Sequence, residues 1–162
     1  MYLSDLRSST HQKTGRLICT CATHLLVRGG RQGEYKAAKS LLNAGRHPAF
    51  IGRDVLVRNA RNGGLFFAQH DGVDIAVALV NPRVSTLLVL NVHPDHRSHG
   101  LGRAFLEFVR PNFARVVENA VPWFEKNGYI AIGDMKQGRT LRTQIMVRGE
   151  LPALAGRIQR LL

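Results

Sequence analysis

The sequence predicts an α+β fold in which helices cover the faces of one mixed sheet. Short apolar segments rich in Val, Ile and Leu, typical of strands, are interspersed with segments whose apolar residues recur every three or four positions, typical of helices. Strands and helices do not alternate strictly, so we expect both antiparallel and parallel pairs. The chain has 162 residues, which suits a single domain over residues 1–162.

The N-terminal third contains one predicted strand and one predicted helix. Residues 1–15 are polar and lack periodicity, so we expect a loose N-terminus. Arg16–Val27 is rich in aliphatic and β-branched residues and predicts a strand. Glu34–Ala44 has helical spacing, and Gly45 stands where a helix C-terminus often places glycine. Ala49–Arg58 fits either a short helix or a strand.

The middle of the chain predicts a hairpin followed by a buried strand. Leu65–His70 and Val73–Val80 are strands separated by Asp71-Gly72, a pair that favours a tight hairpin turn. Ser85–Val92 is apolar over most of its length, as expected of a strand covered on both faces.

The C-terminal half continues with alternating helices and strands. The predicted elements are a helix over Gly100–Arg110, a strand over Phe113–Asn119, a short helix over Val121–Asn127, paired strands over Tyr129–Gly133 and Thr140–Arg148, and an amphipathic helix over residues 150–162. The whole sheet therefore has six to seven strands.

A glycine-containing turn joins the strand Ser85–Val92 to the next helix. Gly100 and Gly102 allow the backbone to bend tightly and turn its N–H groups toward an anion. The positive N-terminal end of the following helix adds to the attraction. The spacing matches neither the phosphate loop of nucleotide triphosphatases nor the dinucleotide-binding glycine motif. The turn predicts a phosphate-binding loop of another kind.

Two motifs in this half of the chain resemble those of one superfamily. Arg97-x-x-Gly100-x-Gly102 resembles the Q/R-x-x-G-x-G/A signature of the GNAT superfamily of acyl-CoA N-acyltransferases, and Trp123–Tyr129 looks like its Y/F-E-K-x-G-F/Y segment. The resemblance covers about residues 64–148. It implies the GNAT fold, with acetyl-CoA as cofactor and a central sheet splayed between strands 85–92 and 113–119.

The resemblance also implies roles for individual residues. The pantetheine arm of CoA would lie between the splayed strands, and the backbone N–H of Val92 would polarise the thioester carbonyl. The pyrophosphate would bind the loop, with charge from Arg97 and Arg103, and Asn119 would reach toward the cofactor arm. The residues that the resemblance assigns to the cofactor are Val92, Arg97, Ser98, His99, Gly100, Leu101, Gly102, Arg103, Asn119 and Phe124.

The acid–base residues depart from the family pattern. Many members use a tyrosine where this chain has Phe124, and Ser85–Val92 contains no carboxylate. The sequence offers His93 and Glu118 as substitutes for the general base. The alternative for each is a residue with no catalytic role. The seven histidines show no H-E-x-x-H pattern, so we expect no metal site.

Charge points to an anionic partner. The net charge is +12, and 18 of the 23 basic residues are arginine. Residues 1–63 carry +8, residues 64–96 carry −2 and residues 97–162 carry +6. Arginine pairs well with phosphate, so tRNA or DNA is the expected acceptor-bearing partner. The alternative is a basic surface that is simply solvated.

The leading hypothesis is acetyl transfer from acetyl-CoA to a primary amine on a nucleic-acid-linked acceptor, such as aminoacyl-tRNA or a modified base. The alternatives are a catalytically weak or inactive GNAT-fold protein that binds nucleic acid or serves in assembly, and a protein N-terminal acetyltransferase. Cys19 and Cys21 are too close for a good disulfide, so we expect a cytoplasmic protein with reduced thiols. No run of ~18 apolar residues predicts a membrane span. Formation of a homodimer stays open.

Overall fold

The computed structural model describes residues 16–20, 23–45, 51–138 and 141–149. Within these ranges eight strands form one sheet with four α-helices on its faces. The elements are β1 (Arg16–Thr20), β2 (Thr23–Gly29), α1 (Tyr35–Ala44), α2 (Arg53–Arg61), β3 (Leu65–His70), β4 (Val73–Asn81), β5 (Thr86–Val92), α3 (Leu101–Val109), β6 (Phe113–Val117), α4 (Val121–Lys126), β7 (Tyr129–Gln137) and β8 (Arg142–Arg148).

The sheet is mixed, as predicted, and its spatial order is β1-β2-β3-β4-β5-β6-β8-β7. Every neighbouring pair is antiparallel except β5 and β6, which run parallel. The single strand predicted over Arg16–Val27 was wrong, because β1 and β2 pair with each other as a hairpin. No glycine or proline interrupts that part of the sequence, so the reversal leaves no signal there.

The hairpin between β3 and β4 is confirmed, and its turn explains the residues that it contains. Asp71 and Gly72 have φ values of 50° and 78°. Two successive positive φ values give a turn whose twist matches that of the flanking strands, and the Asp-Gly pair is among those that favour it. In the described part of the ambiguous segment Ala49–Arg58, helix α2 begins at Arg53.

Helices α1 and α2 cover one face of the sheet, and α3 and α4 cover the other. Leu41, Leu42 and Leu56 belong to a core cluster with alternate residues of β3 and β4. Phe105 and Phe124 belong to a second cluster that contains the intervening residues of the same strands. Because successive side chains of a strand point to opposite faces, the two clusters lie on opposite sides of the sheet.

Gly45 follows α1 for a reason that the sequence does not reveal. Its φ is −75°, so the left-handed conformation expected at this position is absent. A Cβ at Gly45 would overlap the side-chain amide of Asn91. Gly45 therefore gives room to a neighbouring side chain. Gly128 after α4 does have the positive φ typical of a helix end, 80°.

Strand β6 ends two residues earlier than predicted. Val117 is its last residue, and Glu118–Ala120 form a single turn of 3-10 helix, so Asn119 does not belong to the strand. The expectations for residues 1–15 and 150–162 lie outside the described residues. Of the helices described, none has the length and apolar character that crossing a membrane requires.

Candidate functional site

A cleft opens where the two parallel strands separate. β5 and β6 are paired only through Thr86 with Phe113 and Leu87 with Ala114. Beyond Leu87 the strands diverge, and a cleft of about 1060 Å³ lies between them and the surrounding helices. The splay predicted between these strands is thus confirmed. The volume is at the upper end of the range of about 300–1,000 Å³ that is usual for small-molecule sites.

The backbone of β5 presents hydrogen-bond donors to this cleft. The N–H of His93 donates to the carbonyl of Ile75 in β4, with N and O 2.8 Å apart. N–H groups of an antiparallel strand alternate in direction, so the N–H of the preceding residue, Val92, faces away from β4. That direction is the open side toward β6. Val92 lines the cleft there, as its predicted role requires.

The loop after β5 arranges further donors at one wall of the cleft. Ser98 and Gly100 have φ values of 69° and 74°, which turn the chain into the first residue of α3. The earliest intrahelical bond of α3 runs from the N–H of Ala104 to the carbonyl of Gly100. The N–H groups of residues 101–103 therefore precede the helical hydrogen-bond ladder. These donors and the positive end of the helix dipole border the cleft, an arrangement that favours an anion.

The side chain of Arg97 binds backbone carbonyls. Its Nε donates to the carbonyl of Val92 at 3.0 Å, and its Nη2 donates to the carbonyl of Gly45 at 2.9 Å. The side-chain amide of Asn91 donates to the carbonyl of Leu41 at 2.8 Å. These bonds hold the C-terminal end of α1 against the end of β5. Arg97 lines the cleft, yet two of its donor nitrogens are directed away from any ligand.

Aromatic side chains of α4 complete the wall beside the loop. Phe124, predicted as a cofactor contact, lines the cleft and is 7% exposed. Trp123 also lines it and is 37% exposed, with its ring 3.4 Å from the position of a Cβ on Gly102. The sequence analysis did not select Trp123 as a site residue. Its place next to Phe124 in the second motif was the available signal.

Tyr129 is a core residue, in keeping with its position after the glycine of that motif. Its ring packs edge-on against Phe124, and its hydroxyl donates to the carbonyl of Pro111 at 2.8 Å. Burial raises the pKa of the Tyr129 hydroxyl to about 12, and Arg148 opposes the rise. Because Tyr129 is not among the residues that line the cleft, its hydroxyl is not positioned to donate a proton there.

The two candidate bases lie outside the cleft lining. The ring of His93 is directed toward its own loop, where Nδ1 lies 3.4 Å from the backbone nitrogen of Asp95. Glu118 forms an ion pair with Arg142 at 2.7 Å, and both side chains are about half exposed. Neither side chain contributes to the cleft wall. Their catalytic role stays a prediction that the geometry does not favour.

Two of the predicted cofactor residues also lie away from the lining. His99 Nδ1 lies 2.7 Å from the carbonyl oxygen of Arg97. Asn119 is exposed in the short 3-10 helix after β6. The other predicted residues border the cleft: Val92, Arg97, Ser98, Gly100, Leu101, Gly102, Arg103 and Phe124.

The wall opposite the loop was not identified from the sequence. Ala114 and Val116 of β6 belong to the cluster on the α3 side, so Arg115 points to the other face. Arg115 and Thr143 line the cleft there together with Val55 of α2. The alternation of apolar and charged residues in β6 was the signal for Arg115. Among the described lining residues, every ionisable side chain is an arginine: Arg97, Arg103 and Arg115.

The described side chains also offer no metal centre. His70, His93 and His96 lie near one another, with ring centroids of neighbours 6.3 and 6.0 Å apart. In the part of the chain that the structure describes, no group of three or more His, Cys, Asp or Glu side chains is arranged to hold a metal ion.

Comparison with known proteins agrees with this geometry. Residues 61–131 match the family model described as an acetyltransferase (GNAT) domain. This stretch of the chain is similar to the GNAT acetyltransferase domain. The matched residues run from the end of α2 into β7 and include β5, the loop over residues 93–100, α3 and β6. No curated protein matches the chain.

Solved GNAT-type structures share the fold at low sequence identity. Ard1 from Thermoplasma volcanium aligns with a TM-score of 0.62 at 13% identity, covering 78% of this chain and 99% of its own. Arabidopsis thaliana Naa50, in complex with a bisubstrate analogue containing CoA, aligns with a TM-score of 0.62 at 15% identity, covering 78% of this chain and 99% of its own. The ribosomal-protein-S18-alanine N-acetyltransferase from Escherichia coli aligns with a TM-score of 0.62 at 16% identity, covering 79% of this chain and 97% of its own. These alignments show that the chain shares the GNAT fold with these structures.

Proposed function

We propose that this protein is an acetyl-CoA-dependent N-acetyltransferase that acts on an α-amine. The observation that carries the proposal is the cleft between the splayed strands, where the Val92 N–H and the loop at Gly100 face the same space. The first group suits an acyl carbonyl, and the second suits a phosphate, which supports the proposal. A CoA thioester contains both groups.

The residues that line the cleft fit CoA. The first turn of α3 offers backbone N–H donors, and Arg103 beside them adds a positive charge suited to a pyrophosphate. The apolar walls from β5, β6 and α4 suit the less polar pantetheine arm. Gly102 lacks a Cβ where the Trp123 ring and Val92 approach, which keeps the wall open beside the loop.

The chemistry expected of this chain is mainly positioning and polarisation. Acetyl-CoA, when bound, supplies the thioester whose acyl group passes to the amine. The Val92 N–H would donate to the acyl oxygen, and that bond strengthens as negative charge develops there. The peptide unit that follows this donor is held at both ends, because the Val92 carbonyl accepts from the Nε of Arg97 and the His93 N–H donates to Ile75. A preorganised donor costs little reorganisation during the reaction.

The ionisable residues of the cleft favour α-amines as acceptors. No Asp, Glu, His, Tyr, Cys or Lys is found among the described lining residues, so none of them is placed to remove a proton from an ammonium ion. An α-amine has a pKa near ~8, whereas a lysine amine has one near ~10.4. The α-amine is therefore partly neutral at physiological pH without a protein base. Nearby arginines further disfavour the ammonium form.

Within this class, we propose that the amine is carried on a polyanion such as aminoacyl-tRNA. The net charge of +12 and the arginines at the cleft support this choice and oppose polyamine acceptors. A protein N-terminus is the second candidate. It is favoured by the E. coli relative, whose name states that it acts on an alanine of a ribosomal protein.

A transfer assay with three acceptors tests the proposal. Release of free CoA is followed with a peptide that has a free α-amine, with an N-terminally blocked peptide that contains lysine, and with aminoacyl-tRNA. We expect transfer to α-amines, with a rate that rises through the pKa of the acceptor amine. Because His93 and Glu118 lie outside the lining, His93→Ala and Glu118→Gln should leave the pH profile unchanged. Binding of acetyl-CoA without transfer to any acceptor would contradict the enzymatic proposal and favour a binding or assembly role.

A further inference from the structure

We infer that the solvent side of α1 and α2 binds the phosphate backbone of single-stranded nucleic acid, on the side of the sheet from which α2 and Arg115 line the cleft. The surface consists of Lys36, Lys39, Arg58 and Arg61, and we call it the basic helical face. This inference names the docking site for the acceptor and rests on the proposed function for its biological meaning. The binding event itself does not depend on acetyl transfer.

Helical periodicity places these four residues on the exposed sides of both helices. In α1 the buried residues are Ala38, Leu41 and Leu42, and the two exposed lysines are three positions apart. In α2 the buried residues are Leu56, Asn59 and Ala60, and the two exposed arginines are again three positions apart. Residues at this spacing are neighbours on a helix surface. Each helix thus presents one pair of adjacent positive charges.

These charges lack the partners that other arginines have. Arg28, Arg142 and Arg148 each form an ion pair with a carboxylate at 2.6 to 2.8 Å. None of the four side chains of the basic helical face has an ion pair within the described part of the chain. Like charges at neighbouring positions on a helix surface repel each other. An anionic partner that binds both pairs would relieve the repulsion.

The basic helical face lies on the side of the sheet from which α2 and Arg115 line the cleft. Helices α1 and α2 contact each other, and the guanidinium of Arg53 lies 4.6 Å from the centre of the Tyr35 ring. Ile51 and Val55, at the start of α2, line the cleft. Arg115 points into the cleft from the same side of the sheet, opposite α3. A chain bound along α1 and α2 could therefore place its end at the cleft.

Nucleic acid fits this surface better than an acidic protein segment does. The cations stand at fixed intervals on two packed helices, and α1, with ten residues, is about 15 Å long. Phosphates also recur at a fixed interval, so several can be bound at once. Arginine additionally forms two parallel hydrogen bonds to a phosphate. Acidic side chains on flexible stems do not provide that regular spacing.

The test is the salt dependence of binding to a fluorescently labelled single-stranded RNA oligonucleotide, measured by anisotropy. Two variants each remove one pair, Lys36→Gln with Lys39→Gln, and Arg58→Gln with Arg61→Gln. The matched control, Arg110→Gln with Lys126→Gln, removes two exposed charges at the ends of α3 and α4, which cover the opposite face of the sheet. Each lost phosphate contact lowers the slope of log K against log salt by about 0.7. We expect each test variant to lose about 1.4 from the slope, and the control to keep the wild-type slope.

Three results would overturn the inference: no binding of the oligonucleotide by the wild type, the same slope in test and control variants, or equal displacement by polyglutamate of the same charge. The last would indicate an acidic protein partner. Acetyl-CoA binding and transfer to a free peptide are measured in the same variants and should be unchanged. If RNA binding depends on the basic helical face but no acceptor is acetylated, the inference stands and the proposed function fails. If peptides are acetylated but RNA does not bind, the proposed acetyl transfer stands and the inference about the basic helical face fails.

Discussion

Substitution of Gly102 tests the proposed phosphate site at the start of α3. Comparing Asp with Asn at this position separates the effect of negative charge from the effect of side-chain size. Gly102 is the second residue of α3, and a Cβ there would lie 3.4 Å from the Trp123 ring and 3.8 Å from Val92 Cγ2. Both distances are ordinary contacts, so Gly102→Asn and Gly102→Asp should fold. A carboxylate in the first turn of a helix adds about 0.3–1 kcal/mol of stability. The Asp variant should therefore be at least as stable as the Asn variant.

Binding of CoA should respond in the opposite direction. With a carboxylate roughly 5 Å from each of two phosphate charges and an effective dielectric constant of ~40, the repulsion is about 3 kcal/mol. This corresponds to a loss of affinity of roughly 100-fold for Gly102→Asp relative to Gly102→Asn. Trp123 is the single tryptophan of the chain and lies in the cleft wall, so its fluorescence follows the titration. Equal affinities of the two folded variants would refute a phosphate site at this loop.

Three further substitutions test the supporting structure. Gly45→Ala should cost about 1–3 kcal/mol in denaturant unfolding, because its Cβ overlaps the Asn91 amide, and Gly45→Ala with Asn91→Ala should recover part of the loss. An unchanged midpoint for Gly45→Ala would contradict this packing. The pKa of Tyr129 is about 12 in the folded state and 10.0 in the unfolded state. The unfolded state therefore loses this proton first, and the free energy of unfolding falls as the pH rises from 10 to 12. Tyr129→Phe should remove that part of the alkaline loss, at a cost of about 1 kcal/mol at neutral pH for the lost hydrogen bond, and an identical alkaline profile would count against it. Arg97→Gln should reduce stability by about 1–3 kcal/mol and CoA affinity less than Arg103→Gln does, because Arg97 binds backbone carbonyls. The reverse order of affinities would show that Arg97 binds the phosphates.

The part of the fold set by local chemistry was predictable from the sequence. The turn at Asp71 and Gly72 requires positive φ, and the sequence supplies residues that adopt it. The strand β5 and the helix α3 follow from an apolar run and a helical stripe on either side of a glycine turn. In contrast, β1 and β2 were merged into one strand, because the chain reverses there without glycine or proline.

The features that depend on contacts between distant residues were not predictable. Gly45 and Asn91 are far apart in sequence, and only their contact explains the glycine. Arg97 belongs to the signature motif, but its hydrogen bonds to the ends of α1 and β5 arise from tertiary packing. Arg115 and Trp123 entered the site because the strands diverge and α4 packs beside α3. The sequence motif was therefore sufficient to locate the loop between β5 and α3. The opposite wall of the cleft, which contains Arg115, could be identified only from the folded structure.

The central claim, that the cleft between β5 and β6 binds acetyl-CoA, is tested most directly by calorimetric titration of the wild-type protein with acetyl-CoA. The geometry predicts saturable binding of one acetyl-CoA per chain, with competition by free CoA, because the loop and the strand edge offer donors for parts common to both. A correctly folded protein that shows no saturable binding would contradict the assignment of the cleft.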